Sequence, residues 1–454
     1  MTSRFKRTLY WLIPTLLVLS LILLTPKIVS TSIGKPLLIR AFEARLKGNI
    51  TIETAHLSWF GPQTFKNITY TNPDVVGQID ILESSVPFWA LSDLGDSFHL
   101  QNGSFSFPTY GGSQISQIGA KIEGSEVDAT GATSQGGFLS LKGKIYSKED
   151  FDIVADCKRV PSGALDPLFK TKGLLYQLLG PFFDLKGAMV YNHGEGTLSF
   201  DLSSTQAQAS LNAALTENAL TLKEPFLATF RLTPELGAAL SSRASPLLLT
   251  GVEGRDPIVF RIATKNFVFP LKLFSFEKLR VGNGTLDMGR IRATPGKSLR
   301  SLLKLLKSPN NSGQINVWFT PVSFQMEEGV IQTGRMDALL ADAIHICTWG
   351  DIDIASDRLN LFLGLPAATL AQAFGLNNLP RNYVLKIPIR GSIQDPDIDT
   401  GAASSKIAAM VAAQQIPKVA GKPGKLFGGV LNLFAGPKED EDVPPPNRPF
   451  PWER

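Results

Sequence analysis

Little in this sequence is equipped for catalysis or metal binding. Of its 454 residues only two are cysteine, Cys157 and Cys347, and four are histidine, His56, His99, His193 and His345. Two cysteines exclude a disulfide framework and a cysteine-rich zinc module, although one bridge between them stays open. The histidines are far apart, so neither a metal cluster nor a catalytic triad can be assembled from neighbours in sequence. Charge is scarce too: 19% of residues are charged, and 45 Lys and Arg against 40 Asp and Glu leave a net charge of +5. That excess is too thin for a dedicated nucleic-acid binder, which needs a concentrated basic face. Hydrophobic residues nevertheless reach 43%, so a wholly disordered chain is excluded.

One long apolar run is present. Arg4, Lys6 and Arg7 precede an uncharged stretch from Thr8 to Pro26 whose heart contains Trp11, Leu12, Leu16, Leu17, Leu19 and Leu23. A helix rises about 1.5 Å per residue, so roughly 20 residues cross the hydrocarbon core. The run is close to that length. The basic flank predicts a single transmembrane anchor with the N-terminus in the cytoplasm and the rest of the chain outside. A cleaved signal peptide is the competing reading, but Ile28-Val29-Ser30-Thr31-Ser32 is a poor cleavage site.

From Gly48 onward the hydrophobic period is two. Ile50 and Ile52 alternate with Thr51 and Glu53, and Leu198, Phe200 and Leu202 with Ser199 and Asp201. Val322/Phe324/Met326, Ile352/Ile354, Leu359/Leu361/Leu363 and Leu385/Ile387/Ile389 continue the pattern. Asn102-Gly103, Asn283-Gly284, Glu328-Gly329 and His193-Gly194 read as hairpin turns. Many short strands, each with one apolar face, predict a mainly β chain built on an antiparallel sheet with one dry side. A few short helices interrupt it: Pro36 to Leu46, Leu165 to Leu179, Pro234 to Leu240 behind the N-cap Thr233, Ser298 to Lys307, Pro366 to Phe374, and Ser404 to Gln415. The chain therefore divides into an anchor (1–30), a β-rich domain (31–400), an Ala-rich helix with an apolar patch (401–435), and an acidic, Pro-rich tail (436–454) expected to be disordered.

Three stretches carry a resemblance. The first runs from Gly48-Asn49-Ile50-Thr51-Ile52 through Leu57-Ser58-Trp59-Phe60 to Phe65-Lys66-Asn67-Ile68. The second joins Gly329-Val330-Ile331-Gln332 to Gly350-Asp351-Ile352-Asp353-Ile354 and Asp357-Arg358-Leu359-Asn360-Leu361. The third is Leu385-Lys386-Ile387-Pro388-Ile389-Arg390-Gly391-Ser392-Ile393-Gln394-Asp395-Pro396-Asp397-Ile398, ahead of the Ala-rich helix. In this order they resemble the AsmA-like, TamB-like proteins of Gram-negative envelopes. The resemblance covers both ends of the chain and, between Tyr110 and Arg280, only the general pattern. It implies an inner-membrane anchor, a periplasmic β-groove or taco-like fold, and a role in shielding or conducting phospholipid acyl chains between membranes. Membrane phospholipids are then the partner, with other envelope proteins reached through the C-terminal tail. No nucleic acid, cofactor or catalytic role is implied. A scaffold of an envelope assembly without lipid cargo is the alternative.

On this reading Phe324, Ile352, Ile354, Leu359, Leu361, Leu363, Leu385, Ile387 and Ile389 form the lipid-facing stripe, because an alternating strand presents one apolar face by construction. The carboxylates Asp351, Asp353 and Asp357 lack the ligand spacing of a calcium loop and read as a solvated face. His345, beside Cys347, reads as an ordinary packed side chain. The Leu-rich basic helix at Ser298 reads as a cap on the sheet.

Overall fold

The computed structural model describes residues 24–453 except 33, 91–96, 109–112, 134, 148–149, 170, 242–248, 273, 308–312 and 416–442. The anchor residues Trp11, Leu12, Leu16, Leu17, Leu19 and Leu23 lie outside the described residues. Residues 24–30 are helical, and no helix among the described residues is long and apolar enough to cross a membrane.

The chain is mainly β and divides into two compact units. One comprises Met1–His193 with Phe200–Thr205, the other Gly194–Ser199 with Gln206–Arg454, so strand Glu195–Ser204 is shared between them. The first unit is a meander of nine strands: β1 (Asn49–His56), β2 (Gln63–Thr71), β3 (Val76–Ser84), β4 (Phe98–Phe107), β5 (Ser113–Glu123), β6 (Glu126–Thr133), β7 (Phe138–Ser147), β8 (Asp150–Pro161) and β9 (Phe182–Asn192). Each pairs antiparallel with the next. Helix α1 (Lys35–Leu46), started by Pro36, lays Leu38, Ile39 and Phe42 on Ile50, Ile52, Ala55 and Phe65. Beyond β8, α2 (Leu165–Phe169) leads to α3 (Leu174–Leu179). The buried Asp166 carboxylate accepts hydrogen bonds from the Gly173, Leu175 and Tyr176 amides, satisfying donors that a helix start leaves free.

Asn102-Gly103 makes no hairpin. Strand β4 runs through it, with Asn102 at φ 54° and the register shifted between Leu100 and Gly103, so the pair forms a bulge. Asn283-Gly284 likewise falls inside a strand, at a register shift between Val281 and Gly284. The other two turns form as expected: His193-Gly194 joins β9 to β10 (Glu195–Ser204), and Glu328-Gly329 joins two strands of the second unit.

The second unit contains β11 (Ala207–Thr216), β12 (Ala219–Leu222), β13 (Phe226–Phe230), β14 (Leu249–Gly254), β15 (Ile258–Ile262), β16 (Phe269–Pro270), β17 (Val281–Asp287), β18 (Arg290–Pro295), β19 (Ile315–Phe319), β20 (Val322–Glu327), β21 (Val330–Leu340), β22 (Ile344–Asp353), β23 (Arg358–Pro366), β24 (Val384–Gly391) and β25 (Pro396–Ile398). Its helices are α4 (Pro234–Ser241), with Thr233 Oγ1 accepting from the Leu236 amide, α5 (Lys297–Leu305), α6 (Ala367–Phe374), closed by Gly375, and α7 (Thr400–Gln415). The sheet forks at β21. Its first residues, Val330 to Thr333, pair with β20, while Ala338 to Leu340 pair with β19. One branch continues β20–β17–β15–β13–β11, the other β19–β18–β14. On the other side of β21 the order is β22–β23–β24–β25. At the fork Gly334 and Arg335 stand opposite the single residue Trp349, a bulge that turns the strand from one branch to the other.

Candidate functional site

Residues directly opposite in an antiparallel pair lie on the same face, so the register traces rows across the strands. In the first unit one row reads Ala55, Phe65, Leu82, Leu100, Ala120, Ala129, Leu141, Ala155, Gly187 from β1 to β9. Each of its nine positions is apolar. The neighbouring row, one residue along and hence on the other face, reads His56, Thr64, Glu83, His99, Lys121, Asp128, Lys142, Val154, Ala188. Ala55 and Phe65 are buried beside α1, whereas Leu82, Leu100, Ala129, Leu141 and Ala155 are only half-buried. A parallel row, Phe98, Ile122, Val127, Gly143, Ile153, Met189, flanks it on the same face and is half-buried as well. With strands about 4.8 Å apart, nine of them carry this track for about 38 Å, against a bilayer core of about 30 Å spanned by two acyl layers.

In the second unit a comparable row reads Phe226, Ile262, Gly284, Phe324, Thr333, Gly350, Leu361, Ile389, Ile398. Its two ends differ. At one end Phe226, Phe260 and Phe324 are half-buried and in ring contact in series, at 6.3 and 5.8 Å between centroids. A Cβ on Gly284 would stand 2.2 Å from the Phe324 ring, so glycine on the intervening strand lets Phe324 lie across it. Phe324 and Met326 also line a cavity of about 1100 Å³ with Lys265, Arg280 and Gln332. At the other end the core is closed. Leu359, Leu361, Leu363, Leu385, Ile387 and Ile389 are all buried. Leu363 and Ile389 border a void of only about 30 Å³ together with Leu299 of α5. Leu302, Leu303 and Leu306 are buried too, so α5 caps the sheet as its pattern predicts.

Eight of the nine residues assigned to the lipid-facing stripe therefore do share one face. Ile352 pairs with Leu359, Leu361 with Ile389, Leu363 with Ile387, and Leu365 with Leu385. Ile354 is the exception: it lies just past β22, its amide donating to the Gly329 carbonyl in a turn. As folded, however, the six residues of β23 and β24 are buried, with Leu363 and Ile389 beside Leu299 of α5. Phe324, Ile352 and Ile354 of the stripe stay half-buried. Asp353 accepts from the Ser356 amide and Asp357 from that of Ile393, so these carboxylates fix turns. Cys157 and Cys347 are both free and buried.

The opposite face of β21 and β22 holds what the sequence did not announce. Asp337 has no exposed surface. Its carboxylate accepts three hydrogen bonds from Arg335, through Nε at 3.0 and 3.2 Å and Nη2 at 2.7 Å, and one from His345 Nε2 at 2.8 Å. Burial works to raise the Asp337 pKa, but the bonds from His345 and Arg335 outweigh it and hold the group below its ordinary 3.8. Arg335 reaches Asp337 from the bulge at the fork. Cys347, next to this network, has its thiol pushed up to about 12 by burial, which leaves it protonated and without nucleophilic character at neutral pH.

Residues 443–453, expected to be disordered, are instead packed over this face. Phe450 is buried, at 2% exposure, with its ring 4.8 Å from that of His345. Trp452 stacks on Phe450 at 4.9 Å and meets His345 at 5.5 Å. The Pro444 carbonyl accepts from Arg335 Nη1 at 3.2 Å, and Val443 packs on Cys347, Trp349 and Val384. Composition suggested disorder because proline and charge dominate this stretch. Two aromatic rings on a short extended segment are enough to reverse that, because each buries a large apolar area with few rotatable bonds.

A third feature lies beside α1. The Gln63 side chain is fully buried; it accepts from the Ser58 amide and donates to the Ser58 and Gly61 carbonyls, tying the turn after β1. That turn displays Phe60, 89% exposed, against Trp89, 60% exposed, with Trp59 stacked on Trp89 at 6.2 Å.

No family model and no curated protein matches this chain. Among solved structures the chain has a likeness to the crystal structure of Pseudomonas aeruginosa OccK5 (OpdH), at 11% identity over 77% of this chain and 91% of that one, with a TM-score of 0.16. At that score the likeness carries no argument.

Proposed function

We propose that this protein shields phospholipid acyl chains along the apolar face of its strands, as an AsmA-like, membrane-anchored component of envelope lipid traffic. The observation that carries the reading is the row from Ala55 to Gly187: nine strands in register, each contributing an apolar position, left half-buried from β3 onward. A packed β-domain closes such a face with a second layer, because exposed apolar area costs about 25 cal/mol per Å². A surface kept apolar and incompletely covered marks a place where another apolar body fits. In the second unit the Phe226–Phe260–Phe324 stretch offers a similar lining, and Lys265 at the adjoining cavity suits an anionic headgroup, beside an Arg280 paired at 3.8 Å with Glu327. The exposed Phe60 and Trp89 suit the interfacial zone of a bilayer, where aromatic side chains concentrate. No step of this activity makes or breaks a bond.

The test is the lipid content of the purified full chain. Solvent extraction followed by mass spectrometry should recover phospholipid in stoichiometric amount from protein taken out of membranes in mild detergent. A fully folded protein that carries none, and takes up none from vesicles, contradicts the reading. A scaffold without cargo is favoured by one observation, the closed core of β22 to β24 under α5. On that account the lipid content is zero and the half-buried row belongs to a protein interface.

A further inference from the structure

The covered face of β21 and β22 has the build of a recognition site. Its floor is Cys347, Trp349 and Val384, half-ringed by Phe362, which stacks on Trp349 at 5.8 Å. Gly364 makes that floor possible: a Cβ there would stand 2.6 Å from Cys347 Sγ and from Val384 Cγ1. Its polar end is the Arg335–Asp337–His345 network, held from below by Thr320, whose Oγ1 accepts from the Asp337 amide at 2.8 Å. The segment on top meets each part with a matching group. Val443 takes the apolar floor, the Pro444 carbonyl takes a further Arg335 donor at Nη1, and Phe450 with Trp452 takes the His345 ring. Arg448 lies over the Phe450 ring at 5.1 Å, and the Glu453 carboxylate accepts from the Phe450 amide at 3.1 Å, so the aromatic pair is braced by its own neighbours. In sequence, residues 416–442 separate α7 from this segment.

We infer that this face is a peptide-recognition socket for a proline-rich segment ending in the Phe-Pro-Trp pattern, and that residues Val443 to Glu453 are its resident ligand. Two observations and one general property of proline support a ligand over an ordinary piece of core. The segment joins no strand of the sheet, and its own regular structure is one short turn at Pro451–Glu453. Proline-rich segments bind aromatic-lined faces well because little conformational freedom is left to lose. Most of Pro445 to Pro449 stays exposed, so the hold is concentrated at the two ends, as in peptide complexes with a few anchor residues. The inference is independent of the lipid reading, since within the second unit it concerns the face opposite the Phe324–Leu361 row.

The experiment keeps the full chain. A site for a sequence-specific protease is placed between Gly436 and Pro437, the protein is purified intact, and the chain is then cut. A fluorescent peptide of the sequence from Val443 to Arg454 is titrated into the cut protein. The socket predicts saturable exchange of the labelled peptide for the resident fragment. It also predicts at least about 30-fold weaker binding when the peptide carries Phe450→Ala or Trp452→Ala, as expected for anchor residues. Unfolding temperature should rise with peptide concentration, as it does for any ligand of the folded state. If the cut fragment stays bound until global unfolding and never exchanges, the segment is part of the core and the inference is overturned. If the fragment leaves and the free peptide does not bind, the docking itself is wrong.

Discussion

At the scale of single residues, the Asp337 carboxylate carries the most consequence. Its pKa is held below 3.8 in the folded protein by His345 and Arg335, so it contributes stability that is present above pH 3.8 and is lost as pH falls through the lowered folded value. The stability of the protein, followed by urea unfolding, should therefore drop on acidification below about pH 4 with a contribution from this group. Asp337→Asn should flatten that part of the profile while lowering stability at neutral pH, because Arg335 then stays buried without its charge partner. For the harsher Asp337→Ala, removal of one member of a buried pair costs about 3–5 kcal/mol. A profile identical in shape for wild type and Asp337→Asn contradicts this account of the network. Leu361 makes a second residue-scale case. It is buried opposite Ile389, so Leu361→Asp should place an unpaired carboxylate in a closed core and lower stability by several kcal/mol. A variant that unfolds at the wild-type urea concentration would show that this part of the face is open.

At the scale of elements, much was legible in the sequence. The period of two along Leu359 to Leu363 and Leu385 to Ile389 placed those residues on one face, and the cap at Thr233 marked the start of its helix. The Leu-rich helix at Lys297, whose spacing suits a cap on the sheet or a membrane surface alike, buries Leu299, Leu302, Leu303 and Leu306 as a cap. What was illegible has physical reasons. Asn102 takes a positive φ that suits a bulge as well as a turn, and only the partner strand decides between them; Asn283-Gly284 sits at its register shift without any positive φ. Whether an apolar face is open or covered depends on where the helices land, which alternation within a strand does not encode. Arg335, Asp337 and His345 look like scattered polar residues until the bulge at Gly334-Arg335 turns them toward one another. The tail's composition concealed its anchors, Phe450 and Trp452. The turn at Ser58 to Gly61 carries its own prediction. Phe60→Ala with Trp89→Ala removes exposed rings that contact mainly each other and Trp59. The pair should leave the unfolding temperature within a degree or two while weakening binding to anionic vesicles in a flotation assay, if this knuckle meets a membrane. Unchanged flotation removes that role from the turn.

At the scale of the whole molecule, the two faces of the strands differ within each unit. In the first unit, one face repeats an apolar position across nine strands while its neighbour row repeats charge and hydroxyl over most of its length. In the second unit, the same kind of face is half-open at the phenylalanines and closed under α5. The most direct measurement is photo-crosslinking in living cells, with a photoreactive amino acid placed singly at Leu82, Leu100, Leu141 and Ile153 on one face and at Glu83, His99, Lys142 and Asp152 on the other. Shielding of acyl chains predicts phospholipid adducts at the first four positions and at none of the second four. Adducts on both faces alike, or protein adducts without lipid on the apolar face, would contradict the central claim.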